Sequence, residues 1–237
     1  MFATLGARAA TGGTMAASEQ ALAARGIGSP GGLLKAAAWT LICLLVVAFI
    51  GKYVFHYYLN YDPRGFDVFW PKRGALLAHM STGMVALVIG PLQFWSGLKA
   101  KLPGLHRWLG RTYLVAVAAG SAAGLYLALT TSGGWAYGSG LAMLALAWAS
   151  CGAVAYVAIR RGAVVLHRRW MVRSYVVTFA FVIYRLVADV LPTAQLKPAS
   201  DLAIADAWGC WAVPLLATVL VQAVGDIRRQ GRKPRTV

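Results

Sequence analysis

The sequence predicts an all-α, polytopic integral membrane protein: a bundle of six transmembrane helices. Three observations carry this. Hydrophobic residues make up 59% of the chain and charged residues only 13%, where a soluble domain carries about 25% charged residues. The mean hydropathy is +0.62. The apolar residues are gathered into six runs, each near the ~20 residues that cross the hydrocarbon core.

The elements follow in chain order. Met1 to Lys35 is rich in Ala and Gly, holds one acidic residue, Glu19, and lacks a compact apolar region. It reads as a disordered cytoplasmic tail (1–35), with an acid-poor, arginine-bearing transit peptide as the alternative. The transmembrane domain covers 36–226. Span one runs from about Ala37 to Tyr58 and ends in an aromatic belt of Tyr53, Phe55, Tyr57 and Tyr58. Span two covers about Gly74 to Leu98, span three Trp108 to Thr130, and span four Tyr137 to Ile159. Span five covers Trp170 to Leu191 and span six Trp208 to Val224. Pro91 and Pro214 fall inside spans, where neighbouring helices tolerate the kinks they make. Residues 227–237 form a basic cytoplasmic tail.

Charge orients the bundle. Of the 23 Lys and Arg, 17 lie in the two tails and in the turns after spans two and four. The opposite side holds the other six, Lys52, Arg64, Lys72, Arg73, Arg185 and Lys197, together with five of the seven acidic residues. The positive-inside rule therefore places both termini in the cytoplasm of a bacterial inner (plasma) membrane. A net charge of +16 does not point to nucleic acid here. The basic residues sit in short segments between apolar runs, not in a groove outside the bilayer. Cys43, Cys151 and Cys210 lie in separate runs without metal-like spacing and read as small buried hydrophobes.

Two stretches read almost alike: Leu105-His106-Arg107-Trp108-Leu109-Gly110-Arg111-Thr112-Tyr113 and Leu166-His167-Arg168-Arg169-Trp170-Met171-Val172-Arg173-Ser174-Tyr175. Each opens an apolar run after a basic turn, so spans 2–3 and 4–5 read as one helical hairpin used twice. Trp148 stands in the second hairpin where the first has His79. Helical spacing then gathers faces. His79, Gly83, Ala86, Gly90, Gln93 and Gly97 share one in span two. His106, Gly110, Tyr113, Val117, Gly120 and Gly124 share one in span three. Span five has a polar face of His167, Ser174, Thr178, Phe181, Arg185 and Asp189. Small residues beneath a histidine admit either a packed helix or a flat macrocycle.

His106 and His167 open parallel spans at one depth, which suits the two axial ligands of haem b. The neighbouring arginines, Arg111 and Arg173 among them, suit haem propionates. Equally, the histidines are interfacial and the arginines orientation charges. His79 sits deeper and on the other side. His56 reads as an interfacial anchor. Arg185 and Asp189, four residues apart, can satisfy each other, or else mark a propionate site, a quinol site or a solute pathway.

Two resemblances rest on these residues. Gly74 to Leu191, through AHMSTG, GPLQF, LHRWLGRTY and LHRRWMVRSY, resembles a bacterial family of predicted membrane proteins, domain of unknown function family 2306. His79 to Gly124 is similar to the last core helix pair of cytochrome b561-type proteins. There a helix with His-x-x-x-Gly and a later Gln precedes one starting HRWLGR. That resemblance implies haem-ligand roles for His79 and His106 on opposite membrane sides. In those cytochromes two further ligands come from helices before this pair, whereas here His167 follows it. The expected function is therefore b-type haem electron transfer, with a quinone or a redox protein as partner. A cofactor-free transporter and an accessory subunit of a membrane complex are the alternatives.

Overall fold

The computed structural model describes residues 30–99, 102–190 and 200–230. The N-terminal tail to residue 29 and the last seven residues lie outside the described residues, as does part of the loop before span six. All regular structure among the described residues is helical. Six stretches are long and apolar enough to cross a membrane: Gly31–Leu59, Pro63–Ser96, Pro103–Leu129, Gly134–Arg160, Val164–Val187 and Asp201–Gln230.

The chain divides into two units, Met1–Val47 and Ala48–Val237. In the first, the described part belongs to α1 (Pro30–Phe49). Its Leu33, Leu34, Leu41, Leu44 and Val47 are exposed, as lipid-facing side chains are. In the second unit the chain leaves α1 through a π-helical turn, Ile50–Val54, into the short α2 (Phe55–Leu59). The expected loop at 60–73 is folded. Asp62 caps α3 (Pro63–Phe66) by accepting from the backbone N–H groups of Arg64 and Gly65 at 2.7 and 2.9 Å, the usual job of an N-cap carboxylate. A 3₁₀ segment, Asp67–Lys72, then leads into α4.

The main bundle comprises α4 (Arg73–Lys99), α5 (Pro103–Leu129), α6 (Gly134–Arg160), α7 (Val164–Thr178), α8 (Ala180–Val190) and α9 (Asp201–Gln230). Successive helices from α4 to α7 pack side by side, α7 returns to touch α4, and α9 lies against α6 and α7. Three polar links tie this core. Tyr113 on α5, fully buried, has its hydroxyl 2.9 Å from that of Ser174 and 3.0 Å from that of Thr178 on α7. Trp148 on α6 donates its indole N–H to the Thr178 hydroxyl at 2.9 Å. Tyr175 on α7 donates to the Leu87 carbonyl of α4 at 3.1 Å. Buried hydroxyls need such partners where no water is at hand.

Glycine decides one of these approaches. The Tyr175 ring occupies the space that a Cβ on Gly90 would take. The expected fifth span is one membrane-length stretch, Val164–Val187, interrupted at a single residue, Phe179, between α7 and α8. Next to it the Thr178 hydroxyl bonds back to the Ser174 carbonyl at 2.9 Å. Such back-bonding bends helices.

Candidate functional site

The antiparallel α4–α5 hairpin puts His79 and His106 at opposite ends of the bundle. His79, near the start of α4, lies against the far part of α5. Its Nδ1 donates to the Gly120 carbonyl oxygen at 2.8 Å; a carbonyl only accepts, so the proton sits on Nδ1. A Cβ on Gly124 would come within 2.9 Å of that nitrogen, so the glycine is what lets the ring lie flat on α5. Trp148 and Phe181 pack edge-on to it, with centroids 6.3 and 5.8 Å away. The second nitrogen, Nε2, has no hydrogen-bond partner among the described residues.

Beside His79 lies a cavity of about 520 Å³. Its walls are aromatic: Tyr53, Tyr57, Phe69, Tyr137, Trp148 and Phe181. The Tyr137 and Tyr184 hydroxyls stand 3.3 Å apart in one wall. Gly83, one turn after His79, also lines the cavity, and a Cβ there would meet nothing within 4 Å. Three lining residues carry or can gain positive charge, namely Lys72, His79 and Arg185, and no carboxylate among the described residues lines it. The Lys72 ammonium donates to the Thr130 carbonyl at the end of α5, where the helix dipole favours a cation. The π-helical turn and the break at Phe179 both flank this cavity, through Tyr53 and Val54 on one side and Thr178 and Phe181 on the other.

At the opposite end, His106 and His167 each sit three residues inside their helices, α5 and α7. Their nearest partners lie in different directions. His106 Nε2 is 3.2 Å from the Gln93 amide nitrogen and its Nδ1 is 3.1 Å from the Ser96 hydroxyl, both on α4. His167 Nδ1 donates to the Ala155 carbonyl of α6 at 2.9 Å. Gln93 is buried, and its Oε1 has no partner. Arg111 is exposed. Arg173 donates to the Gln222 side chain of α9 at 2.9 Å and lies over the Trp170 ring. Among the described residues no three His, Cys, Asp or Glu side chains are grouped to hold a metal ion.

The paired reading of Arg185 with Asp189 needs correction. Asp189 takes its hydrogen bonds from Lys52 Nζ at 2.8 Å and from the Tyr53 hydroxyl. Arg185 instead stacks over the Tyr53 ring, 5.1 Å from its centroid, and lines the cavity. The reason is reach: the chain before α2 brings an ammonium and a phenol to the carboxylate, which a sequence window around residue 187 does not contain. Lys52, Tyr53 and Lys72 were legible in sequence only as loop and belt residues. The Tyr113–Ser174–Thr178–Trp148 network also escaped, because its members come from three separate spans.

Residues 76–222 match the model of a family described as a predicted membrane protein, DUF2306. The chain belongs to that family. The match runs beyond the stretch that carries the resemblance, from α4 through most of α9, and so covers the bundle that holds both His79 and His106. No curated protein and no solved structure matches the chain. What this DUF2306 protein is shown to be is a multi-pass, all-helical membrane protein in contact with the lipid bilayer.

Proposed function

We propose that this DUF2306 protein holds a lipophilic small molecule inside the membrane at the His79 end. The molecule we propose is haem b, which makes the chain an electron-transfer protein with a quinone or a redox protein as partner. The observation that supports this most directly is His79. One ring nitrogen is fixed by the Gly120 carbonyl, the other makes no hydrogen bond among the described residues, and the residue lines the cavity. Metal-bound histidines are commonly arranged this way, with the second nitrogen tied to a carbonyl or carboxylate that sets the ring's orientation. The open space over Gly83 lets a flat ring lie against α4, and Lys72 and Arg185 are partners for propionates. Haem b supplies reversible one-electron chemistry when bound. His79 is the one histidine in the cavity lining among the described residues, so it would hold the iron there.

Positive-inside counting supports placing this end at the outer side of a bacterial inner membrane, with both termini in the cytoplasm. The pair His106 and His167 stands as the proposed ligand set for a second haem at the cytoplasmic end. Binding there requires His106 to give up its contact with Gln93.

The visible spectrum of detergent-purified protein from haem-replete cells tests the reading. A Soret band is expected; the share held at the His79 end is lost in His79→Ala, any share held at the other end is lost in His106→Ala or His167→Ala, and both are kept in His56→Ala. A wild-type protein without a Soret band overturns the haem assignment. A cofactor-free transporter is the second reading, and the interruption of the fifth span at Phe179, beside the cavity, favours it. Interrupted helices beside a cavity are where many transporters hold substrate.

A further inference from the structure

We infer that the occupant of the His79 cavity carries an acidic head, a carboxylate or a phosphate, which Lys72 and Arg185 recognise. This rests on the cavity being a ligand site, and it holds for any lipophilic acid, haem or lipid-derived. The charges of the lining carry the argument. Lys72 and Arg185 face the cavity, and no Asp or Glu does. Asp189, one turn from Arg185, is already held by Lys52 and Tyr53. The other ion pair among the described residues, Arg169 with Asp226, lies at the far end of the bundle. Arg185 therefore makes no close ion pair among the described residues: it stacks on the Tyr53 ring, and Asp189 acts on it only at longer range.

Unpaired cations within a membrane-embedded wall cost several kcal/mol unless something neutralises them. A guanidinium has five N–H donors and an ammonium three. Arg185 spends none of its donors on a described protein acceptor, and Lys72 spends one, on the Thr130 carbonyl. Lys72 stands just before α4, and Arg185 in the middle of α8. From there the lining descends along α4 to Leu87, about 22 Å further on at 1.5 Å per residue. The walls on the way are aromatic and aliphatic. An acid group at the Lys72–Arg185 rim with a long apolar body beneath it satisfies both ends, and guanidinium pairs with carboxylate and phosphate in a fixed, bidentate geometry.

The test is a displacement titration on the purified full-length protein. The reporter is a fluorescent long-chain fatty acid, and the competitors are oleate, methyl oleate, a long-chain alkyl phosphate and haem. Oleate and the alkyl phosphate are expected to displace the reporter, with methyl oleate at least tenfold weaker, which is the worth of a charge-assisted hydrogen bond. Arg185→Gln and Lys72→Gln are each expected to weaken the acids about tenfold and leave methyl oleate unchanged, while Arg185→Lys keeps most of the acid binding. If methyl oleate competes as well as oleate, the cavity binds lipophiles but the acid-head inference falls. If no acid displaces the reporter, or the reporter does not bind, the acid-head inference falls, and the ligand-site reading falls with it only where the Soret band is absent as well. Displacement by haem with a Soret band lost in His79→Ala makes the acid a propionate, and displacement by oleate without any Soret band makes it a lipid acid. The acid-to-ester comparison is made on the wild type, so it stands even where a variant fails to fold.

Discussion

The Asp189 carboxylate lies 2.8 Å from the ammonium of Lys52, a residue 137 positions away, and makes its close ion pair there, not with Arg185 on its own helix. This choice of partner ties the chain before α2 to α8, while Arg185 stacks on the Tyr53 ring and lines the cavity.

A double-mutant cycle reads that choice. Lys52 and Asp189 are both solvent-accessible, at 62% and 44% of their side chains. Such pairs contribute about 0.2–1 kcal/mol. Thermal unfolding of Lys52→Gln, Asp189→Asn and the double variant should give a coupling energy in that range. The same cycle for Arg185 and Asp189 should give a smaller coupling. A larger Arg185–Asp189 coupling would refute the arrangement.

Gly124 sets the place of the His79 ring. Gly124→Ala puts a methyl group 2.9 Å from Nδ1, too close for a carbon beside a ring nitrogen. The ring must leave the Gly120 carbonyl or the two helices must part. The expected outcome is loss of about 1–3 kcal/mol of stability and weakened binding of any cavity ligand. Gly83→Ala, where the added Cβ meets nothing within 4 Å, should leave stability within about 0.5 kcal/mol of wild type and reduce ligand binding alone. Comparing the two melting curves with and without ligand checks both.

Closure of α4 against α7 depends on Gly90. Gly90→Leu is expected to prevent folding or to lower the melting temperature severely, because Tyr175 fills the space. In a Tyr175→Ala background the same substitution should cost less than in the wild type, since contacting residues are not additive. Equal costs in the two backgrounds would show that the contact is not what limits Gly90.

Topology has a direct assay. Reporter fusions near Ala100, Gly162 and Gln230 should all report a cytoplasmic location, and one near Asp67 a periplasmic one. A single fusion on the wrong side overturns the orientation and, with it, the outer placement of the His79 cavity.

Much of the architecture was legible in sequence because the bilayer asks little that is not local. A span is a segment long and apolar enough to replace water with lipid, so hydropathy and length locate it, and all six expected spans fall on membrane-length helices. The glycine faces were legible for the same reason: helical periodicity brings Gly120 and Gly124 onto one side of α5 before any neighbour is known. Sequence alone also singled out His79, Gln93, His106, His167 and Arg185 as the polar groups a membrane helix does not carry without cause.

Tertiary structure decided what those groups do. It turned His79 toward the Gly120 carbonyl and an aromatic cavity, gave both nitrogens of His106 to Gln93 and Ser96, and handed Asp189 to Lys52 in place of Arg185. It also broke the fifth span at Phe179, where Thr178 serves Tyr113 and Trp148 from two other helices. The physical reason is common to all of these. Membrane insertion depends on the solvation of one segment at a time. The partner of a polar side chain, and the space left beside it, depend on which helices meet, and residues far apart in the chain settle that.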